Sequence, residues 1–177
     1  MAAFTVIDHT EIGSGGAASW AKASIPATYD HLLLKASART DQASYLGNLM
    51  LRFNSDTGTN YSQTLLYANT STPNSARGTG LTSIYWGPTV GGASNLANTF
   101  GAIKIWIPNY ANTANFKQAI LDGVIENNST TNAQWNLHVA AGLWQSTAAI
   151  NAVSLADLAS NNFVQYSTFT LYGVTGA

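Results

Sequence analysis

The chain has 177 residues and no cysteine; only 8% of its residues are Asp, Glu, Lys or Arg, and its net charge is −1. An ordinary domain carries about 25% charged residues, and no basic cluster is present here to displace counterions, which argues against nucleic acid and anionic membranes as partners. Disulfides and thiolate metal sites are excluded, while 46% hydrophobic and 11% aromatic residues argue against disorder and for a packed core.

Solubility must then rest on Ser, Thr, Asn and Gln. A surface with so few charges suits a protein that packs against copies of itself or a lattice. The opening Met1-Ala2-Ala3-Phe4-Thr5-Val6-Ile7-Asp8 lacks the basic and long apolar regions of a signal peptide. No apolar run approaches the roughly 20 residues of a membrane span. The expectation is an intracellular product whose first strand starts at about Phe4.

In chain order, strands are predicted at residues 4–7, 20–25 and 31–38. At 49–53, Leu49, Leu51 and Phe53 alternate with Met50 and Arg52, a period of two with one buried face. Further strands are predicted at 61–67 and 81–86. At 103–107, Ile103, Ile105 and Ile107 alternate with Lys104 and Trp106 before Pro108 closes the run. Residues 116–125 set Ala119, Leu121 and Ile125 opposite Ile120, Asp122 and Val124. Residues 135–144 and 163–174 complete about ten strands. Turn clusters separate them: Gly13 to Gly16, Asn54 to Gly58, Pro73-Asn74-Ser75, Gly91-Gly92 and Asn127-Asn128-Ser129. Single helical turns are expected at 41–46 and at 154–159, the latter with Ser154 as cap and Asp157 in its first turn. The pattern predicts an all-β, antiparallel, jelly-roll-like β-sandwich forming a single domain over 1–177.

Asp56-Thr57-Gly58 matches the tripeptide of dimeric aspartic proteases, in which two carboxylates share a proton. Polar neighbours on both sides favour a hairpin tip instead, with Asp56 bonding its own backbone and Gly58 at positive φ. Asn54, Asp56, Gly58 and Asn60 alternate as in a calcium loop, but a single carboxylate makes a weak site. His9, His31 and His138 have no zinc spacing and read as strand residues with satisfied rings. There is no Gly-x-Ser-x-Gly elbow and no phosphate-binding Gly-Lys-Ser/Thr. The sequence therefore predicts no catalytic residues, no metal and no cofactor. The five tryptophans, Trp20, Trp86, Trp106, Trp135 and Trp144, are read as core or interface rings. The alternative is a ring exposed for stacking on a sugar. Tyr85 and Trp86, before Gly87-Pro88, and Trp106, beside Lys104, are the candidates for contact with a partner.

Several segments in order resemble a family of small tailed-phage virion proteins common in cyanophage and other aquatic phage genomes. They are Ile25-Pro26-Ala27-Thr28-Tyr29 before Leu32-Leu33-Leu34, the run Arg52 to Ser62, Leu66-Tyr67, Ile107-Pro108-Asn109-Tyr110, Glu126-Asn127-Asn128, Gly142-Leu143-Trp144 and Phe163 to Gly173. The resemblance spans nearly the whole chain. It implies a non-enzymatic β-sandwich virion component, made in the host cytoplasm, that acts as a capsid decoration (cement) protein or a tail-associated adhesin. Relatives often carry Gly where this chain has Ser55, and many end in Leu-Tyr-Gly-Ile where this one continues Val174-Thr175-Gly176-Ala177. A lone domain without shaft or coiled coil fits decoration, with the major capsid protein and other copies of itself, most simply in a homotrimer, as partners. The alternative is a lectin-like receptor- or carbohydrate-binding tail or fibre module, with a glycan as partner.

Overall fold

The computed structural model describes residues 3–176 and contains no helix among them. The strands are, in chain order, β1 (Ala3–Glu11), β2 (Ser19–Lys22), β3 (His31–Ala38), β4 (Leu46–Phe53), β5 (Tyr61–Ala68) and β6 (Asn74–Leu81). They continue as β7 (Thr89–Gly91), β8 (Gly101–Pro108), β9 (Lys117–Ile125), β10 (Asn136–Trp144), β11 (Val153–Asp157) and β12 (Thr168–Thr175). One sheet has the order β1-β12-β3-β8-β9-β10-β5-β6 and the other β2-β11-β4-β7. Every neighbouring pair is antiparallel.

Eight of these strands form a jelly roll. Counting β1, β2, β3, β4, β7, β8, β11 and β12 as first to eighth, the sheets read 1-8-3-6 and 2-7-4-5, the order that two interleaved Greek keys produce. The other four strands are insertions. The β5–β6 hairpin enters between the fourth and fifth core strands, and β9–β10 between the sixth and seventh. They extend the first sheet past β8, so eight strands face four.

Between the sheets lies one core that runs from Ile12 to Leu171 in sequence. The alternation supplies it directly: Leu49, Leu51 and Phe53 of β4, Ile103, Ile105 and Ile107 of β8, and Leu121 of β9 all point inward and are buried. Trp20 stacks on Phe169 across the layers at 5.5 Å, and Trp144 packs on Phe53 and Tyr61. Two cations are also inside. Arg39 donates to the carbonyls of Ala93, Asn95, Leu96 and Thr99, and so shapes the β7–β8 connection. Lys117 donates to those of Asn115 and Thr147.

Five predicted elements differ. Residues 154–159 form no helical turn. Val153 and Leu155 alternate into the core, and β2 and β4 offer a ladder on both sides, so pairing overrides the local cap signal. Asp157 instead accepts the N–H groups of Ala159 and Asn161 to close the strand. Residues 41–46 are a bend. Of the predicted strand 81–86, Leu81 ends β6 and the rest is a loop whose Ile84 alone bridges Leu51, while Asn74-Ser75, expected in a turn, begins β6. In the predicted 163–174 strand, the ladder starts only at Thr168, and Phe163 makes isolated bridges to Ala17 and Thr40.

Candidate functional site

The Asp56 segment is not the expected hairpin tip, because β4 and β5 lie in different sheets; it is a crossover turn that acts as a structural staple. Asp56 accepts from the Gly58 N–H at 2.8 Å, from Asn60 Nδ2 at 2.9 Å and from the indole of buried Trp144 at 2.7 Å. These three donors hold its carboxyl below the usual range, with the Asn60 bond the largest cause. Asn54 accepts the N–H groups of Asn151 and Ala152 and donates to Ala149, tying the turn to the β10–β11 connection. The side-chain oxygens that Asn54 and Asp56 would offer to a calcium ion are thus committed to N–H donors. The turn itself differs from expectation: positive φ belongs to Asn54 and Ser55, at 52° and 57°, and not to Gly58. Two successive left-handed residues closed by the Asp56 N–H on Phe53 O make a type I′ turn.

The histidines divide. His9 pairs with Thr170 Oγ1 at 2.8 Å, and His31 accepts the Asn109 N–H while its ring lies 4.9 Å from Trp106. His138 departs from the expected satisfied ring. It is 2% exposed, and neither nitrogen has a partner. Burial pushes its pKa down to about 4, against a weaker upward pull from Asp122. Its ring lies over Gly123 of β9, where any Cβ would collide with it.

The candidate contact residues fall on different surfaces. Trp106 points outward from β8, half-buried beside His31. Trp86 lies in the loop over the inner side of the added strands, edge-on to Tyr85 at 5.3 Å. The backbone N–H groups of Tyr85 and Trp86 both donate to buried Gln63 Oε1, which fixes the loop.

Around Trp106 the outer face of the long sheet becomes apolar over its added strands. Leu66 is 64% exposed, Leu137 57%, Val139 52%, Ile120 51% and Val124 39%. The register makes them neighbours: Val139 opposes Leu66, Leu137 opposes Val124, and Ala141 opposes Ile120, which itself faces Trp106. The charged residues beside them are Lys35, Lys104 and Asp122, the last two paired at 2.5 Å. These five side chains expose on the order of 500 Å² of apolar surface, at the size where the largest patch on a monomer is often an interaction site.

On the inner side, β10, β5 and β6 run past the edge strand β7, and away from the end of β4, where Phe53 packs on Tyr61 and Trp144, no described strand lies opposite them. The loop at 82–88 covers part of this surface: Ile84 packs on Gly142, and Gly87 lies over Ala140 and Leu121. What remains open is a groove of about 360 Å³. Leu46, Leu65 and Ala76 form apolar parts of its wall, with Asn48, Tyr67, Asn69, Trp86, Asn136 and His138 adding aromatic and polar groups. No Asp, Glu, Lys or Arg lines it. Asn136 Oδ1, like the His138 nitrogens, is buried without a partner.

No family model, curated protein or solved structure matches this chain. Sequence reading missed both the outer row and the groove. The outer row left a signal, since residues 119–125 are apolar at nearly every position, whereas a sheet with one wet face alternates apolar and polar. Of the groove only Trp86 stood out in sequence, because the site is assembled from five separated segments.

Proposed function

We propose that this protein is a non-enzymatic virion component, an oligomeric decoration protein, most simply a trimer, that stabilises a phage head. The observation that carries this reading is the apolar outer face of β9, β10 and β5, joined to an almost uncharged exterior. A standard interface takes about 800 Å² from each partner; the apolar patch supplies its centre, and the surrounding Ser, Thr and Asn supply a polar rim. Many such contacts, repeated by symmetry, give avidity without a tight single site. The jelly roll is an architecture that capsid proteins and lectins both use, so the fold supports this reading only by analogy.

A lectin-like tail module is the second reading, and the neutral groove beside Trp86 favours it. Protein gels of purified virions and a host-adsorption assay separate the two. Decoration predicts many copies per particle and heads that fail under heat or low salt on deletion, with adsorption intact. A few copies at the tail and lost adsorption would assign it to the adhesin. With purified protein, Leu137→Lys with Val139→Lys should shift sedimentation from oligomer to monomer at unchanged melting temperature. An unshifted oligomer would remove this face from the interface.

A further inference from the structure

We propose that the groove between the loop at 82–88 and the inner face of β5, β6 and β10 binds a neutral saccharide. Saccharide binding here deepens the lectin-like reading and rests on it for its role, while titration of the purified protein tests the groove separately from head or tail location. The chemistry of the groove selects the ligand class.

Trp86 and Tyr67, both half-buried, bring aromatic rings to the groove. A ring face attracts the slightly positive C–H groups on one side of a pyranose, through the same quadrupole that governs aromatic packing. Three amides, Asn48, Asn69 and Asn136, line the same space. An amide carries a donor and an acceptor side by side, a match for the vicinal hydroxyls of a sugar. No charged side chain faces the groove. Sialic acids, uronates and phosphorylated ligands would therefore lose their hydration without gaining a counter-charge.

The site is also built before any ligand arrives. Gln63 holds the backbone of Tyr85 and Trp86 at 2.8 and 3.2 Å, and the Trp86 ring packs above Gly78 of β6, where an added Cβ would come within 3.4 Å of it. A ring fixed in this way loses little freedom on binding. At about 360 Å³ the groove is at the small end of ligand sites, a size for one or two sugar units.

The test is titration of the full chain with methyl glycosides of glucose, galactose, mannose and N-acetylglucosamine, with N-acetylneuraminic acid as the charged control. Tryptophan fluorescence and saturation-transfer NMR provide the readouts, up to about 10 mM sugar, enough to detect any Kd tighter than roughly that value. At least one neutral glycoside should bind and the charged sugar should not. Trp86→Ala should weaken binding at least tenfold, and Trp106→Ala, on the opposite face of the sheet, should leave it unchanged. Asn69→Ala gives a second reading of the same site if Trp86→Ala does not fold. Absence of binding by every neutral glycoside, binding only of the charged sugar, or full affinity in both Trp86→Ala and Asn69→Ala would overturn the proposal.

Discussion

His138 should make the fold acid-sensitive in a window of its own. Its pKa of about 4 lies below the ordinary 6.5 because the ring is buried without a partner to stabilise its charge. Between those values the unfolded chain takes up a proton that the folded chain refuses. Stability is therefore fully present above about pH 6.5, falls as pH drops through the window, and stops falling from this cause below about 4. The interval corresponds to about 3 kcal/mol, a large share of the 5–15 kcal/mol that holds a typical domain together. The assay is urea unfolding at pH 7, 6, 5 and 4, followed by tryptophan fluorescence. His138→Leu removes the titrating group along with two unpartnered nitrogens, so at pH 7 it should change stability by no more than about 1 kcal/mol. Across the window it should flatten the profile. If wild type and His138→Leu lose stability in parallel between pH 6.5 and 4, or if neither loses any, the ring is not buried unpaired and the reasoning fails.

Asp56→Asn should cost about 1–2 kcal/mol, more than a lone turn bond, because the Trp144 indole loses its charged acceptor. The Asp56 pKa lies below the ordinary value, so its contribution is present above about pH 4 and disappears as pH falls through the lowered value. In the variant the acid limb below pH 4 should be shallower, and any biological activity should persist. Loss of peptide cleavage on this one substitution would instead point to an aspartic protease. Ile105→Asp places an unpaired charge at a position with no exposure, between Leu34 and Leu121, and should abolish soluble expression. A soluble variant with unchanged melting would mean that β8 has the opposite register.

Where the sequence was legible, it was because one face of a strand had to be dry. Leu51, Phe53, Ile103, Ile105, Ile107 and Leu121 could be assigned inward from alternation alone, since a one-residue slip would put the whole set in water. Illegible strands lacked that demand. β6, Asn74 to Leu81, is a Gly- and Ser-containing edge whose inward apolar contribution is Ala76 and, at its end, Leu81. β7 is three residues long and gains its place from Arg39 and the chain around it. Residues 154–157 carried a plausible helix cap, and only the two flanking strands, more than 90 residues earlier in the chain, decide against it. His138 read as an ordinary strand histidine because its isolation depends on Gly123 from a neighbouring strand making room for the ring.

The two candidate surfaces have one structural origin. A jelly roll of four strands on four closes its own core; four more strands on one sheet add an inner face that the second sheet covers only in part and an outer face that must meet either water or a partner. The inner face is partly closed by Ile84 and Gly87 over small residues of β10, and the groove is what that closure leaves. The outer face has no such account within the monomer. Phe4 and Val6 of β1 are exposed too, but other outward strand positions are polar, among them Ser37, Thr64, Gln118 and Thr170, and Thr satisfies strand preference as well as Val or Ile does. Folding alone would therefore have accepted Thr at 120, 124 and 139 with no loss of core burial. Ile120, Val124 and Val139, flanked by Leu66 and Leu137, are the side chains that the proposed interface would cover.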